Sequence, residues 1–232
     1  MERVAVTGLG TINPLGVDVA QTWAGARAGR CAISALKAPW VDEYGLAVRV
    51  AGQLPTATSE LLSAREVRRL DPATQCALIA ARQAWTQAFG STAQVDPERL
   101  AVSFSPGMGC VTTVMDAWDT LRTKGPRRVA PTTVPALMPN APAATLAMEF
   151  TARAGAHAPV SACASGAEAI SYGADLIRLG RADVVVAGGC DDALHPLTVA
   201  AFAAMRALST NPDPAGACRP FASDRDGFVL GQ

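Results

Sequence analysis

The chain has 232 residues and half of them are apolar, enough to bury a sizeable core. Twenty basic residues, eighteen of them arginine, balance twenty acidic ones, which removes any global attraction to nucleic acid or to a membrane surface. No apolar run reaches the roughly 20 residues that span a bilayer, and the N-terminus "MERVAVTGLG" lacks the succession of a signal peptide.

"RVAVTGLG" (3–10) reads as a β-type run closing on glycines, and residues 18–28 read as a helix capped by Asp18. "LAVRVAGQL" predicts a second strand. Residues 72–89 predict a helix, because Asp71 can cap it and Pro72 suits its first turn. "RLAVSFSPGMG" (99–109) is a strand ending in a glycine-rich turn, followed by a helix over about 111–122. "PTTVPALMPNAP" holds four prolines and is expected to be a loop. A helix over about 141–150 comes next. Then a strand at "APVSA", a turn at Cys163, a helix over 165–179 stopped by Gly180, and a buried strand at "ADVVVAGG" follow one another.

Strand, helix and strand within about 30 residues make a βαβ crossover. Repetition of that alternation predicts an α/β fold with a mostly parallel sheet covered by helices. No Gly/Ser-rich linker divides the chain, so one domain is expected over residues 1–232. "TGLGTINPLG" has Asn13 where a dinucleotide-binding fingerprint needs glycine, which excludes a Rossmann site.

Six cysteines (Cys31, Cys76, Cys110, Cys163, Cys190 and Cys218) include no CxxC pair and no zinc spacing to His157 or His195. No metal is expected, and free thiols in a reducing cytoplasm are. Cys163 stands apart because it falls where a strand turns into a helix. Free N–H groups and the helix dipole favour a thiolate there. Its neighbours Ala162, Ala164, Ser165 and Gly166 are small, as a sharp turn needs if an acyl group is to approach. The Cys163 amide would then supply half of an oxyanion hole. Cysteine is also a common buried residue, and the local pattern alone leaves both roles open. The other five are read as structural.

"VSACASGAEAI", with "MPNAPAATLAMEF", "ADVVVAGGCDDA", "AAFAAMRALST" and "CRPFASDRDGFVLG", resembles the β-ketoacyl-acyl carrier protein synthases, the elongating condensing enzymes of the thiolase superfamily. The likeness runs from "VAVTGLGTINPLG" to the last residues. It implies a thiolase-like fold, of which the chain is one αβα half of a five-layered αβαβα molecule. It also implies that Cys163 is the nucleophile, acylated from acyl carrier protein before a decarboxylative Claisen condensation with a malonyl carrier in fatty-acid or polyketide synthesis. No cofactor is implied beyond the phosphopantetheine that arrives on the carrier. The family's two assisting histidines belong to HGTGT-like and Gly-His motifs that do not occur here, and neither His157 nor His195 matches them. Gln232 stands where relatives continue Gly-Glu. The expectation is a chain lacking the family's second half, without condensing activity by itself.

By the same resemblance, Met108 and Phe202 line the acyl pocket, and Leu137 and Met138 belong to a loop that closes the pocket of the opposite subunit in a dimer. Core packing is the other reading of such residues. Arg65, Arg68 and Arg69, with Lys124, Arg127 and Arg128, form two basic clusters suited to an acidic carrier protein. Solvated helix ends are the plainer reading. The partners expected are acyl carrier protein and a second ketosynthase-like subunit, in a homodimer or a heterodimer. Two rival functions share the fold. One is a non-catalytic, chain-length-factor-like partner, and the other a thiolase-type acyl-CoA acyltransferase.

Overall fold

The computed structural model describes residues 3–90 and 95–232. In chain order its helices are α1 (Val19–Arg27), α2 (Trp40–Glu43), α3 (Ala64–Arg69), α4 (Pro72–Phe89), α5 (Val111–Lys124), α6 (Thr133–Leu137), α7 (Ala141–Glu149), α8 (Ser165–Arg178), α9 (Pro196–Ala204) and α10 (Pro214–Ala217). Its strands are β1 (Ile33–Ala35), β2 (Val50–Gly52), β3 (Leu100–Pro106), β4 (Gly155–His157) and β5 (Val184–Cys190). The chain divides into two compact units, Met1–Thr11 with Thr58–Asp191 and Ile12–Ala57 with Asp192–Gln232.

In the first unit β3 lies between β4 and β5 and runs parallel to both. Every residue of β3 is buried. Side chains of a strand alternate between faces, and β3 uses both. Ala101 packs with Leu176 of α8, and the Ser103 hydroxyl donates to the Ala169 carbonyl of the same helix at 2.8 Å. On β5, Gly188 leaves room for the Phe104 ring, which an added Cβ would meet at 2.7 Å. Helices α4 and α7 also pack on the sheet. The crossover β4–α8–β5 passes over β3, a βαβ unit as predicted but with its first strand earlier in the chain.

Capping explains where these helices start and stop. Asp18 accepts from Gln21 N, and Ser63 and Glu66 form a reciprocal capping box on α3. The buried carboxylate of Asp71 caps α4 through Ala73 N and also accepts from Thr113 N in the first turn of α5, each at 3.0 Å. That second bond supplies a cap that α5 lacks locally, since Cys110 makes no side-chain cap. Helix α8 ends as expected at Gly180, whose φ is 68°. The Gly180 and Arg181 amides donate back to the Ile177 and Leu176 carbonyls.

Four expectations are corrected. Residues 3–10 join no ladder among the described residues and run along α4 instead. Glutamine side chains of α4 take the Leu9 amide and, just beyond the stretch, the Thr11 amide, with Leu9 N on Gln87 Oε1 at 2.6 Å and Thr11 N on Gln83 Oε1 at 3.1 Å. Gly8 and Gly10 lie so close that an added Cβ would strike the Ala84 and Ala80 carbonyls. The strand before Cys163 is Gly155–His157 rather than "APVSA", where Pro159 has no N–H to give a ladder. The proline-rich segment contains the five-residue α6, which tolerates Pro135 because the first turn of a helix needs no N–H partner. Finally β5 is half-buried rather than buried, being an edge of this sheet among the described residues.

In the second unit β1 and β2 pair antiparallel, with Ile33 opposite Gly52. One core cluster there joins Val48, Ala193, Val199, Leu208 and Leu230, and another joins Leu36, Val41 and Ala51. No helix among the described residues is long and apolar enough to cross a membrane.

Candidate active site

Between β4 and α8 the backbone makes one left-handed step at Ala162, with φ at 51°. A non-glycine residue rarely adopts that conformation, and where it does the surroundings enforce it. Here Ser165, the first residue of α8, does the enforcing. Its buried hydroxyl donates to the Ala162 carbonyl at 2.6 Å and accepts from Ser161 N at 3.0 Å, closing the turn from beneath. The Ala164 and Ser165 amides donate to the Ser161 and Ala162 carbonyls, so the turn is bonded through main chain as well. Cys163 sits at the apex and is exposed. It lies two residues before a 14-residue helix, the placement expected for it.

Two glycine contacts bring the turn close to the sheet. Gly166 in the first turn of α8 touches Gly189 of β5, where a Cβ on Gly189 would come within 2.7 Å of Gly166 Cα. Gly107, just past β3, lies beneath the turn, and a Cβ there would be 2.7 Å from the Ala162 carbonyl oxygen. The thiol is therefore carried at the C-terminal end of parallel strands, where open α/β sheets commonly place ligands.

The other thiols differ in setting. Burial, with the Asp71 charge adding to it, pushes Cys110 up to about 12. Burial and the neighbouring Asp191 push Cys190 well up too. Both stay protonated at neutral pH and are poor nucleophiles. Cys76 is buried in α4. Cys31 and Cys218 are exposed, the first with its sulfur 3.6 Å from the Pro214 carbonyl and the second at the end of the four-residue α10.

Met108 stands in the loop after β3, with 43% of its surface exposed. Leu137 and Met138 end α6, and the Cys110 thiol lies 3.7 Å from the Met138 carbonyl, which it can reach as a weak donor. Phe202 is half-buried on α9 in the second unit, edge-on to Phe228 at 5.4 Å and packed on the Val48 cluster. Arg65, Arg68 and Arg69 lie exposed on α3. Lys124 ends α5, while Arg127 and Arg128 follow in a single 3₁₀ turn, all exposed. None of these six cations joins an ion pair among the described residues.

The histidines have local partners. His157 meets Tyr172 edge-on at 5.0 Å, and His195 caps α9 by accepting from Leu197 N through Nδ1. No group of three His, Cys, Asp or Glu among the described residues would hold a metal ion.

Sequence reasoning missed two features. A cavity of about 1050 Å³ in the second unit is bordered by Arg206, Cys218, Arg219, Phe221, Arg225 and Phe228. Its signal was the arginine-rich "CRPFASDRDGF". A second cavity, about 620 Å³, lies in the first unit with Arg65 and Arg69 on its rim and Thr74, Pro135 and Met148 in its wall.

A parallel sheet clad in helices is a thiolase-like α/β arrangement, and solved ketosynthase structures share the fold. A β-ketoacyl synthase from Burkholderia phymatum superposes with a TM-score of 0.86 at 29% identity, over 100% of this chain and 57% of that one. A ketosynthase in complex with its type II polyketide acyl carrier protein, bound to the hexaketide, gives 0.80 at 29% identity, over 98% and 55%. The family model of the β-ketoacyl synthase N-terminal domain matches residues 1–232, so this chain belongs to the β-ketoacyl synthase family. It is 39% identical to 3-oxoacyl-[acyl-carrier-protein] synthase 2 of Mycobacterium tuberculosis over 231 residues, which is 99% of this chain and 55% of the relative. The chain thus spans about half the length of the curated relatives it matches.

Proposed function

We propose that the protein is a β-ketoacyl-acyl carrier protein synthase in which Cys163 is the acyl-accepting nucleophile. The observation that carries this reading is the exposed thiol on the Ala162 turn immediately before α8. The Cys163 sulfur attacks the thioester carbonyl of an acyl carrier, the new carbon–sulfur bond forms, and the carrier thiolate leaves and takes up a proton. In the second half reaction malonyl carrier loses carbon dioxide. Its carbanion attacks the acyl-cysteine carbonyl, a carbon–carbon bond forms, and the cysteine sulfur is released. The backbone amide of Cys163 suits half of the site for the developing oxyanion. The two histidines present have capping and packing contacts, so the first half reaction is the one this set of residues supports.

In this reading the protein needs no cofactor of its own, because the phosphopantetheine belongs to the carrier. Met108 is proposed to line the acyl pocket, and Leu137 and Met138 to help close that of the opposite subunit in a dimer of ketosynthase-like subunits. The exposed, unpaired cations of α3 and of residues 124–128 are proposed to meet the acidic carrier. The cysteine usage supports a cytoplasmic setting.

The test is mass-spectrometric mapping after incubation with acyl carrier protein loaded with a fatty chain. Acylation confined to Cys163, and lost in Cys163→Ala, supports the reading. No acylation, or acylation elsewhere, refutes it. Loading from acyl-CoA but not from the carrier would mark a thiolase-type acyltransferase. The triple change R65E/R68E/R69E should raise KM for the carrier substrate, and an unchanged KM counts against the docking role.

A further inference from the structure

Strands β3 and β5 end level, with Pro106 opposite Cys190 in the parallel register. Beyond that point the residue after β5, Asp191, takes the amides of the loop after β3 with its side chain. Asp191 Oδ2 accepts from Gly107 N and Asp191 Oδ1 accepts from Met108 N, each at 3.0 Å. A carboxylate whose two oxygens take two consecutive amides fixes both the position and the orientation of the loop that bears them. The same loop lies close against the Ala162 turn. A Cβ built on Gly107 would lie 2.7 Å from the Ala162 carbonyl oxygen and 2.9 Å from Asp191 Oδ2, so carboxylate, loop and turn meet at one point. Met108 is exposed, and its described hydrogen bond is the amide contact to Asp191.

We propose that Asp191 is a positioning residue for acyl transfer: by gripping the Gly107 and Met108 amides it holds the loop on which the Ala162–Cys163 turn rests and from which Met108 projects. This rests on the assignment of Cys163 as the acyl acceptor. Without the carboxylate two amides lose their acceptor, the support under the turn loosens, and Met108 shifts with it. Presentation of the thiol and discrimination among acyl chains then change together.

The experiment compares the wild-type protein with Asp191→Asn, which keeps one acceptor oxygen, and Asp191→Ala, which keeps none. Three quantities are read: hydrogen exchange at the Gly107 and Met108 amides, the rate of Cys163 alkylation by iodoacetamide, and the ratio of short to long acyl chains loaded from carrier protein. For Asp191→Ala the expected results are at least tenfold faster exchange at both amides, an alkylation rate changed threefold or more, and a loading ratio shifted threefold or more, with Asn intermediate. Wild-type values of exchange and alkylation in the Ala variant would overturn the proposal. So would a loss that follows the melting temperature while the loading ratio stays fixed. If Asp191→Ala does not fold, Asp191→Asn decides by the same criteria. A wild-type protein that accepts no acyl chain refutes the condensing reading, while exchange and alkylation still decide whether Asp191 positions the turn.

Discussion

The contact between Gly189 and Gly166 fixes how closely the start of α8 approaches the sheet, and replacing Gly189 by alanine tests what depends on it. The added Cβ would lie 2.7 Å from Gly166 Cα, 3.1 Å from Gly166 N and 3.2 Å from the Ser105 carbonyl oxygen, all main-chain atoms that cannot swing aside. Restoring an ordinary carbon–carbon separation of about 3.5 Å moves the first turn of α8 by nearly an ångström. Overpacking of this kind costs about 1–3 kcal/mol. Because the Cys163 turn leads directly into α8, and misplacement by about 1 Å can cost on the order of 10²-fold in rate, acyl loading should fall by one to two orders of magnitude. The matching control is Gly166→Ala. Its Cβ would lie 3.4 Å from Gly189 Cα and N, ordinary contact, and alanine gains up to about 1 kcal/mol of helix propensity. Chemical denaturation and the Cys163 loading rate are measured for both. Gly189→Ala matching the wild type in stability and loading, or the two substitutions behaving alike, would refute the reasoning.

Three more outcomes are expected. Ser165→Ala removes the hydroxyl that closes the turn and leaves Ser161 N and the Ala162 carbonyl without it, which should cost about 1–3 kcal/mol in denaturation and slow Cys163 loading. Unchanged stability and loading would show that the main-chain bonds suffice. Ala162→Val places a β-branched residue at a φ of 51° and should destabilise by about 1–3 kcal/mol, whereas Ala162→Gly should stay close to wild type. Equal stability of the two would contradict the left-handed step. Glu66 is held down to about 2 from 4.5 by the Ser63 hydroxyl and then by Arg82. Its stabilisation is complete above pH 4.5 and is lost as pH falls through about 2. The pair is partly solvated, so about 1 kcal/mol is expected. The stability gap between wild type and Glu66→Gln should therefore close over that interval, and a gap independent of pH would refute it.

The features read correctly from sequence are those in which cause and effect lie within a few residues. Asp18, Asp71 and Gly180 mark helix ends through bonds to amides and carbonyls in the adjacent turn, so α1, α4 and α8 were legible. Cys163 was placed at a helix start by the small residues that follow it. Residues 3–10 differ from the β-type reading because composition says nothing about which partner takes the amides, and here Gln87 takes that of Leu9 and Gln83 that of Thr11 from more than seventy positions away. The short α6 was hidden by a count of prolines that ignored where in the helix each one falls.

What the amino-acid order determined alone is local: the helix starts and stops, the crossover, and a cysteine at the head of α8. Tertiary structure decided that Asp191 reaches back to Gly107 and Met108, that Asp71 caps a helix forty residues away, and that two glycines set the distance between α8 and β5. The physical reason is that caps and turns act within a few residues along the chain, whereas these contacts exist only once the sheet has brought strand ends together.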